Sequence, residues 1–309
     1  MTWVESVSPS FRARHEFADG DDADRVLYSL ERTRERLQGL FPRAIPEMTV
    51  VLHPGMVGLS LTNPLLPMWW IATDPAARRY VAGWVGGREL HVLSPAALKT
   101  RASSVAGSRE MLGLIPAALY ARRVIAENNL ELRQARSPVR VGLELRWAWL
   151  VEGGARWFAG QTEHSRAAIA RRLRDGSRPS FPPSARDAPL LGPTVIDLLA
   201  CERGEPAAAQ VVCRLHPHGA RGTLVRAFGG LPMARIETAW RSHLARLASP
   251  PAAEPDPRRI RAEPRAPARQ STRRSRARSA SPPGGEAARW RDPIGLTGSA
   301  RPPSAPRER

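Results

Sequence analysis

The sequence has very little lysine and cysteine, and it has no long apolar run. Lys99 is the single lysine, so 46 of the 47 basic residues are arginine. Two cysteines, Cys201 and Cys213, cannot make the disulfide framework of a small secreted protein, and we expect a reduced, cytoplasmic chain. No run approaches the ~20 apolar residues that span a bilayer, and the N-terminus lacks the basic and apolar regions of a signal peptide. We therefore expect no transmembrane segment.

Acidic residues are also scarce relative to basic ones. The formal net charge is +18 over 309 residues, which favours acidic partners such as nucleic acid, anionic lipid or acidic proteins without choosing among them. A hydrophobic content of 42% is enough for a packed core. The length allows one large or two medium domains.

The composition changes near residue 248. Residues 251–309 hold 14 arginines and 6 acidic residues among many prolines, serines and alanines, with few large apolar side chains. Such a segment buries too little apolar surface to offset its ordering entropy. The sequence therefore predicts a folded domain over residues 1–247 and a disordered basic tail over 248–309. The run 269–278 holds the densest charge, and residues 258–278 could bind nucleic acid or another acidic partner, although a merely solubilising tail fits as well.

The N-terminal part predicts strands and one long helix. Apolar spacing favours a helix over 23–40, and strands are indicated at 11–18 and 48–53. Runs at 80–84 and 89–93 flank Gly86-Gly87 and predict a hairpin. The surroundings of Trp69 and Trp70 are interpreted as a loop-rich hinge. The fold class indicated is α+β, with a small N-terminal mixed sheet and helix followed by a mainly helical C-terminal half.

A central helix is predicted over residues 144–161. Apolar residues recur there at separations of three and four, and Glu152 lies on or beside the apolar face. A carboxylate in such a place is costly unless it is paired. Gly153 and Gly154 follow directly, which suits a close approach by another backbone or a ligand.

Two stretches resemble one family of enzymes. Residues 149–160 read W-L-V-E-G-G-A-R-W-F-A-G, which resembles the third-ligand helix of gluzincin metallopeptidases (peptidase MA-like, thermolysin-type). Residues 228–244, with Glu237 and Trp240, are similar to the closing signature of that family. The resemblance covers roughly residues 11–247. It implies a gluzincin-like domain in which Glu152 stands at the position of a zinc-binding glutamate.

The other zinc ligands of that family are missing from the expected segment. The family uses an H-E-x-x-H helix upstream, where the two histidines lie on one face and the glutamate acts as general base. No histidine lies between His91 and His164. Residues 109–128 still predict a helix with a partly apolar face. The resemblance therefore implies no zinc cofactor, unless atypical ligands such as Glu152 with Glu110 or Glu127 hold the metal.

Each candidate site residue also has an ordinary structural interpretation. Glu152 is either a relict metal-ligand position or, as we prefer, a buried glutamate paired with Arg122, Arg123 or Arg146. Four further residues could line a remodelled cleft, although core or surface roles are commoner for such side chains: Glu110, Tyr120, Glu127 and Trp149. No residue is assigned a catalytic role.

Three functions are compatible with these observations. The first is a zinc-less pseudo-peptidase that acts as a binding or scaffolding module for an unknown protein or peptide partner. The second is a hydrolase or peptidase with a remodelled or atypical metal site. The third is association with nucleic acid or an anionic surface through the basic tail.

Overall fold

The structure, a computed structural model, describes residues 2–43, 45–135 and 139–249. The described part is an α+β fold with a mixed sheet at the N-terminal end and helices beyond it. Most of the predicted tail, including residues 258–278, lies outside the described residues. The last described helix ends at Ala248, one residue past the predicted domain boundary.

The strands form a five-stranded sheet in the order β1-β2-β3-β5-β4. They are β1 (Trp3–Val7), β2 (Phe11–Glu16), β3 (Met48–His53), β4 (Gly83–Val85) and β5 (Glu89–Leu93). β2, β3 and β5 are parallel neighbours, and β1 and β4 are antiparallel at the two edges. The predicted hairpin around Gly86-Gly87 is confirmed as β4 and β5, whereas β1 was not predicted.

The described helices are, in chain order, α1 (Gly20–Gln38), α2 (Met56–Thr62), α3 (Leu66–Ala72), α4 (Pro75–Arg78), α5 (Pro95–Thr100), α6 (Ser108–Gly113), α7 (Ile115–Asn128), α8 (Leu130–Gln134), α9 (Val139–Arg146), α10 (Ala148–Phe158), α11 (Arg166–Asp175), α12 (Ala188–Arg203), α13 (Glu205–Val212), α14 (Gly219–Ala227) and α15 (Met233–Ala248). Short 3-10 helices lie at Phe17–Asp19 and Gln161–His164. None of the described helices is long and apolar enough to cross a membrane.

Helix α7 lies at the centre of the domain. It packs against α1, α10 and strands β4 and β5, and most of its residues are buried. Tyr120 meets Phe11 of β2 edge-on, with ring centroids 5.1 Å apart. Helices α7 and α10, which fall within the predicted helical segments 109–128 and 144–161, therefore lie side by side.

Helices α10 and α12 approach more closely than any side chain would allow. A Cβ placed on Gly153 would lie 2.5 Å from the backbone carbonyl carbon of Gly192, and one on Gly192 would lie 2.9 Å from Gly153 Cα. The two glycines therefore let the helix backbones touch. Gly153 is therefore a packing residue, and the element that approaches it closely is the backbone of α12.

Three predicted elements differ from the structure. The helix expected over 109–128 divides at Leu114, because Pro116 has no N–H and belongs in the first turn of a new helix. The helix expected over 144–161 divides at Trp147 into α9 and α10. The loop-rich hinge around Trp69 and Trp70 is wrong, since that segment forms α2 and α3.

Candidate functional site

A cavity of about 160 Å³ lies where α3, β4, α7 and α10 meet. Its walls are partly apolar, with two tryptophan rings, Trp69 and Trp84, beside Leu119. Four charged side chains also line it: Arg122, Glu144, Glu152 and Arg156. The cavity therefore combines an apolar wall with a concentrated group of opposite charges.

Glu152 lies between two guanidinium groups. Arg156 Nε donates to Glu152 Oε1 at 2.8 Å, and Arg122 Nη1 donates to Oε2 at 3.4 Å. Arg156 is nearly fully buried and also donates to Gln161 Oε1 and to the Tyr80 carbonyl oxygen, each at 3.0 Å. The carboxylate is thus paired, as a buried charge must be.

Arg122 connects Glu152 to a second carboxylate. Its Nη2 donates to Glu144 Oε2 at 2.6 Å, and Glu144 Oε1 accepts from Arg140 Nε at 3.0 Å. The turn at Trp147 places Glu144 and Glu152, on successive helices, on either side of the same arginine. The result is a continuous network of three cations and two anions across α7, α9 and α10.

The network keeps both carboxylates ionised. Burial alone would raise the pKa of Glu152, but Arg156 and Arg122 outweigh it and hold the pKa below its usual value. Burial likewise opposes ionisation of Glu144, and Arg122 and Arg140 lower its pKa. Burial would lower the pKa of Arg122, but the two glutamates raise it. The pairing therefore favours the charged forms of Glu144, Glu152 and Arg122.

The residues opposite Glu152 do not fit a zinc ion. Ala118, Leu119 and Arg122 of α7 line the cavity at positions i, i+1 and i+4, which is the spacing of the ligands and the base in H-E-x-x-H. The side chains of alanine and leucine have no atom that can bind a metal, and a guanidinium repels a cation. Both nearby carboxylates already accept from arginines, whereas zinc needs three or four free nitrogen, sulfur or oxygen ligands.

The four other predicted cleft residues lie elsewhere, and that interpretation is corrected. Glu110 is exposed on α6, near His164. Tyr120 packs against Phe11, and burial raises its pKa to about 12. Glu127 pairs with Arg123 at 2.9 Å.

Trp149 is the fourth of these residues, and it is buried where α10 meets α12. None of the four is among the residues that line the cavity with Glu152. Tyr120, Glu127 and Trp149 lie on faces of α7 and α10 other than the one that lines the cavity, and Glu110 lies on α6, which does not line it.

The partners of Glu152 were predicted only in part. Arg122 is confirmed as one of them, whereas Arg123 pairs with Glu127 instead. Arg156, which makes the shorter contact, was missed although it follows Glu152 by four residues. The i, i+4 rule for oppositely charged residues on a helix would have found it.

Two histidines form a second buried polar group, at the sheet. The His53 and His91 side chains share a hydrogen bond between Nε2 and Nδ1 at 3.0 Å, and Trp84 stacks on His91 with ring centroids 4.4 Å apart. His91 Nε2 is 3.3 Å from Glu89 Oε2. Within the described residues no three His, Cys, Asp or Glu side chains are placed to hold a metal.

Comparison with known proteins adds no relative: no family model, no curated protein and no solved structure matches this chain.

Proposed function

We propose that this protein is a metallopeptidase-like binding module that works without a catalytic zinc. The observation that carries the proposal is the pairing of Glu152 with Arg156 and Arg122 in the cavity between α7 and α10. In the family that the sequence resembles, a carboxylate at this position and two side chains at i and i+4 of the facing helix would hold the metal. Here guanidinium groups occupy the space in front of the carboxylate.

The charge arrangement supports this interpretation physically. A divalent cation on Glu152 would have to displace either Arg122 from Oε2 or Arg156 from Oε1, and Gln161 and the Tyr80 carbonyl oxygen also hold Arg156. It would also face Arg122, which Glu144 holds at 2.6 Å. Repulsion between like charges at such distances, in a partly buried site, is larger than in water. The network therefore opposes metal binding while it neutralises the carboxylates.

The apolar wall of the cavity supports a binding role. Binding sites are typically concave and apolar with a few oriented polar groups, and this cavity has such a composition. Its small volume suits one side chain of a peptide or protein partner better than a large ligand. The charged side chains of the cavity already pair with one another, so we assign them no role in proton transfer or metal binding. The role that we propose for the cavity is therefore recognition of a partner.

Metal analysis of the purified full chain tests the first part of the proposal. We expect well under one zinc per chain after purification in zinc-containing buffer, measured by elemental mass spectrometry. One tightly held zinc per chain would contradict the proposal, because it would require ligands that the paired glutamates do not supply.

Restoring the ligands is a sharper test. A variant with Ala118→His and Arg122→His places two imidazoles at i and i+4 opposite Glu152, and we expect it to gain zinc affinity. Adding Glu152→Gln should reduce that affinity, because the third ligand is then lost. A control with Arg123→His and Glu127→His has the same spacing on another face of α7. If this control binds zinc as tightly as the restored variant, the geometric basis of the proposal fails.

The binding role is tested with a random peptide library displayed on phage. We expect enrichment of peptides on the parent protein and its loss on Ala118→Met, which fills the cavity from an alanine that is already buried. Equal enrichment on both proteins would place recognition outside this cavity. Hydrolysis of a peptide library that persists with a chelator and disappears in Glu152→Gln would favour the enzymatic alternative.

A further inference from the structure

The outer surface of α2 and α3 is unusually apolar. Of the thirteen large hydrophobic side chains that are exposed in the described chain, five lie within one 15-residue segment, so they are not scattered at random. They are Val57, Leu61, Leu65, Met68 and Ile71. Leu61, Val57 and Ile71 are each more than three-quarters exposed. A concentration of exposed apolar side chains of this kind, unlike single scattered ones, is typical of an interaction site.

These two helices are apolar on both sides. On the inner side Leu59 of α2 is fully buried, and Leu66 and Trp69 of α3 line the cavity that contains Glu152. A helix that is apolar all round is normally covered all round. On the inner side α2 packs on β3 and β5, and the Arg122 guanidinium of α7 lies 5.9 Å from the centre of the Trp69 ring of α3. The outer side chains are exposed among the described residues.

The segment also lacks charge, in a protein that is rich in it. Residues 54–73 contain no Asp, Glu, Lys or Arg. The first charged residue after them is Asp74, which already accepts from Arg186 at 3.1 Å. The outer surface therefore carries no free carboxylate that would repel an anionic partner.

Arginines border the end of this apolar surface. Arg78 donates to the carbonyl oxygens of Ile71 and Thr73, each at 3.4 Å, and the Arg101 guanidinium stacks 4.9 Å from the centre of the Trp70 ring. Arg101 also donates to the Arg79 carbonyl oxygen at 3.1 Å.

None of Arg78, Arg79 and Arg101 has a carboxylate partner in the described part of the chain. Burial and the charge of Arg79 lower the pKa of Arg101, because no anion offsets them. The border is thus a group of cations that an external anion would stabilise.

We propose that the outer face of α2 and α3 (residues 56–72) docks on an anionic lipid surface. The exposed aliphatic side chains would enter the interface between headgroups and acyl chains, while Arg78, Arg79 and Arg101 contact headgroup phosphates. Apolar side chains beside cations are the combination that binds such interfaces. The proposal is independent of the cavity function above, since Val57, Leu61, Met68 and Ile71 do not line the cavity, and Leu65 alone of the five exposed residues also does so.

The positive net charge of the chain favours an anionic lipid surface over a second copy of the chain as the partner of this face. Each copy carries a formal charge of +18, so pairing two such faces would bring like-charged borders together. An anionic bilayer supplies the opposite charge. It also accepts protruding aliphatic side chains without a matching groove.

Vesicle flotation with the full chain tests the proposal. We expect binding to phosphatidylcholine vesicles that contain about 30% phosphatidylglycerol, and little binding to phosphatidylcholine alone. The double variant Leu61→Ser, Ile71→Ser should bind the anionic vesicles about tenfold more weakly. The control is Phe17→Ser, Tyr28→Ser, which removes two exposed large hydrophobic residues from other elements and should bind like the parent.

Several outcomes would overturn the proposal. Absence of parent binding to anionic vesicles would do so, and so would equal binding to neutral ones. Unchanged binding of the Leu61, Ile71 variant would place the interaction elsewhere on the protein. A concentration-dependent dimer in analytical ultracentrifugation that this variant abolishes would make a second copy the occupant of the face. Circular dichroism melting curves establish that each variant is folded.

Discussion

At the residue scale, Arg156 is the side chain on which the candidate site depends most. It is 4% exposed and satisfies three acceptors at once: a carboxylate, an amide oxygen and a backbone carbonyl oxygen. Those acceptors come from α10, from the 3-10 turn after it, and from the chain before β4. One guanidinium therefore both neutralises Glu152 and joins the helical half to the sheet.

Removal of this side chain should destabilise the fold strongly. We expect Arg156→Met to lower the free energy of unfolding by about 3 kcal/mol, because it leaves a buried carboxylate short of a partner. Urea unfolding followed by circular dichroism measures the loss. Arg171→Ala is the control, since Arg171 and Asp175 form an exposed i, i+4 pair, and its cost should stay below about 1 kcal/mol. Equal losses in the two variants would argue against a central role for Arg156.

His53 should make stability depend on pH. Burial and the neighbouring His91 lower the pKa of His53 from 6.5 to about 4 in the folded chain. As the pH falls, His53 in the unfolded chain therefore takes up a proton near its ordinary pKa of 6.5. In the folded chain His53 takes up a proton only near its lowered pKa of about 4. Above pH 6.5 the protonation of His53 does not reduce the free energy of unfolding. As the pH falls from 6.5 toward 4, this free energy decreases because the unfolded chain binds the proton first.

The expected loss across that window is roughly 2 kcal/mol, measured by urea unfolding at pH 7 and pH 4.5. In His53→Gln the difference between the two pH values should shrink. His218→Gln, at an exposed loop position, should leave it unchanged. A His53→Gln protein with the full pH dependence of the parent would assign the effect to other groups.

At the scale of elements, the contact between α10 and α12 brings two helix backbones together. Gly153 and Gly192 are 39 positions apart, and each leaves room for the backbone of the other. Their contact fixes the position of α10, and so it also fixes the distance from Glu152 to α7. The position of the site thus depends on two residues that carry no side chain.

A methyl group at this contact should be costly. We expect Gly153→Ala to destabilise the protein by about 2–3 kcal/mol, since the obstacle is helix backbone and cannot rotate away. Gly142→Ala is the matched control within α9, where a Cβ meets nothing within 4 Å, and it should stabilise by about 0.5–1 kcal/mol. Thermal unfolding of both variants checks the prediction, and a stabilising Gly153→Ala would contradict the close packing.

Local patterns predicted the elements better than their ends. The strand at 48–53 and the helix that starts near residue 20 follow from alternation and from apolar spacing, so both were predictable. Helices α2 and α3 were not, because prolines and a mixed apolar run resemble a loop. In the site, Arg122 was among the predicted partners of Glu152, but Arg156 was overlooked despite its helical spacing.

At the scale of the whole molecule, charge is divided unevenly along the chain. Residues 251–309 contribute 14 arginines and 6 acidic residues, a net charge of +8, so the rest of the chain carries +10 of the total of +18. Any affinity for nucleic acid that rests on the tail should therefore be electrostatic and depend on salt. The lipid-docking face that we propose consists of other residues, 56–72.

Truncation after residue 250 should separate these two contributions. We expect the truncated chain to lose most of any nucleic-acid affinity and to show a shallower slope of log affinity against log salt concentration. Fluorescence anisotropy with a labelled duplex at several salt concentrations measures both. An unchanged slope would exclude the tail as the source of binding. Vesicle flotation of the same protein should retain the effect of Leu61→Ser, Ile71→Ser.

The sequence by itself determined which segments form helices and strands in most of the domain, the excess of positive charge, and the absence of histidine from the helix that faces Glu152. These properties depend on residue type and on spacing over a few turns. Only the tertiary structure decided which arginines hold Glu152, that Glu144 shares one of them, and that α2 and α3 present an apolar face. Those contacts join residues far apart in the chain, so their geometry depends on how α7, α10 and α12 pack together.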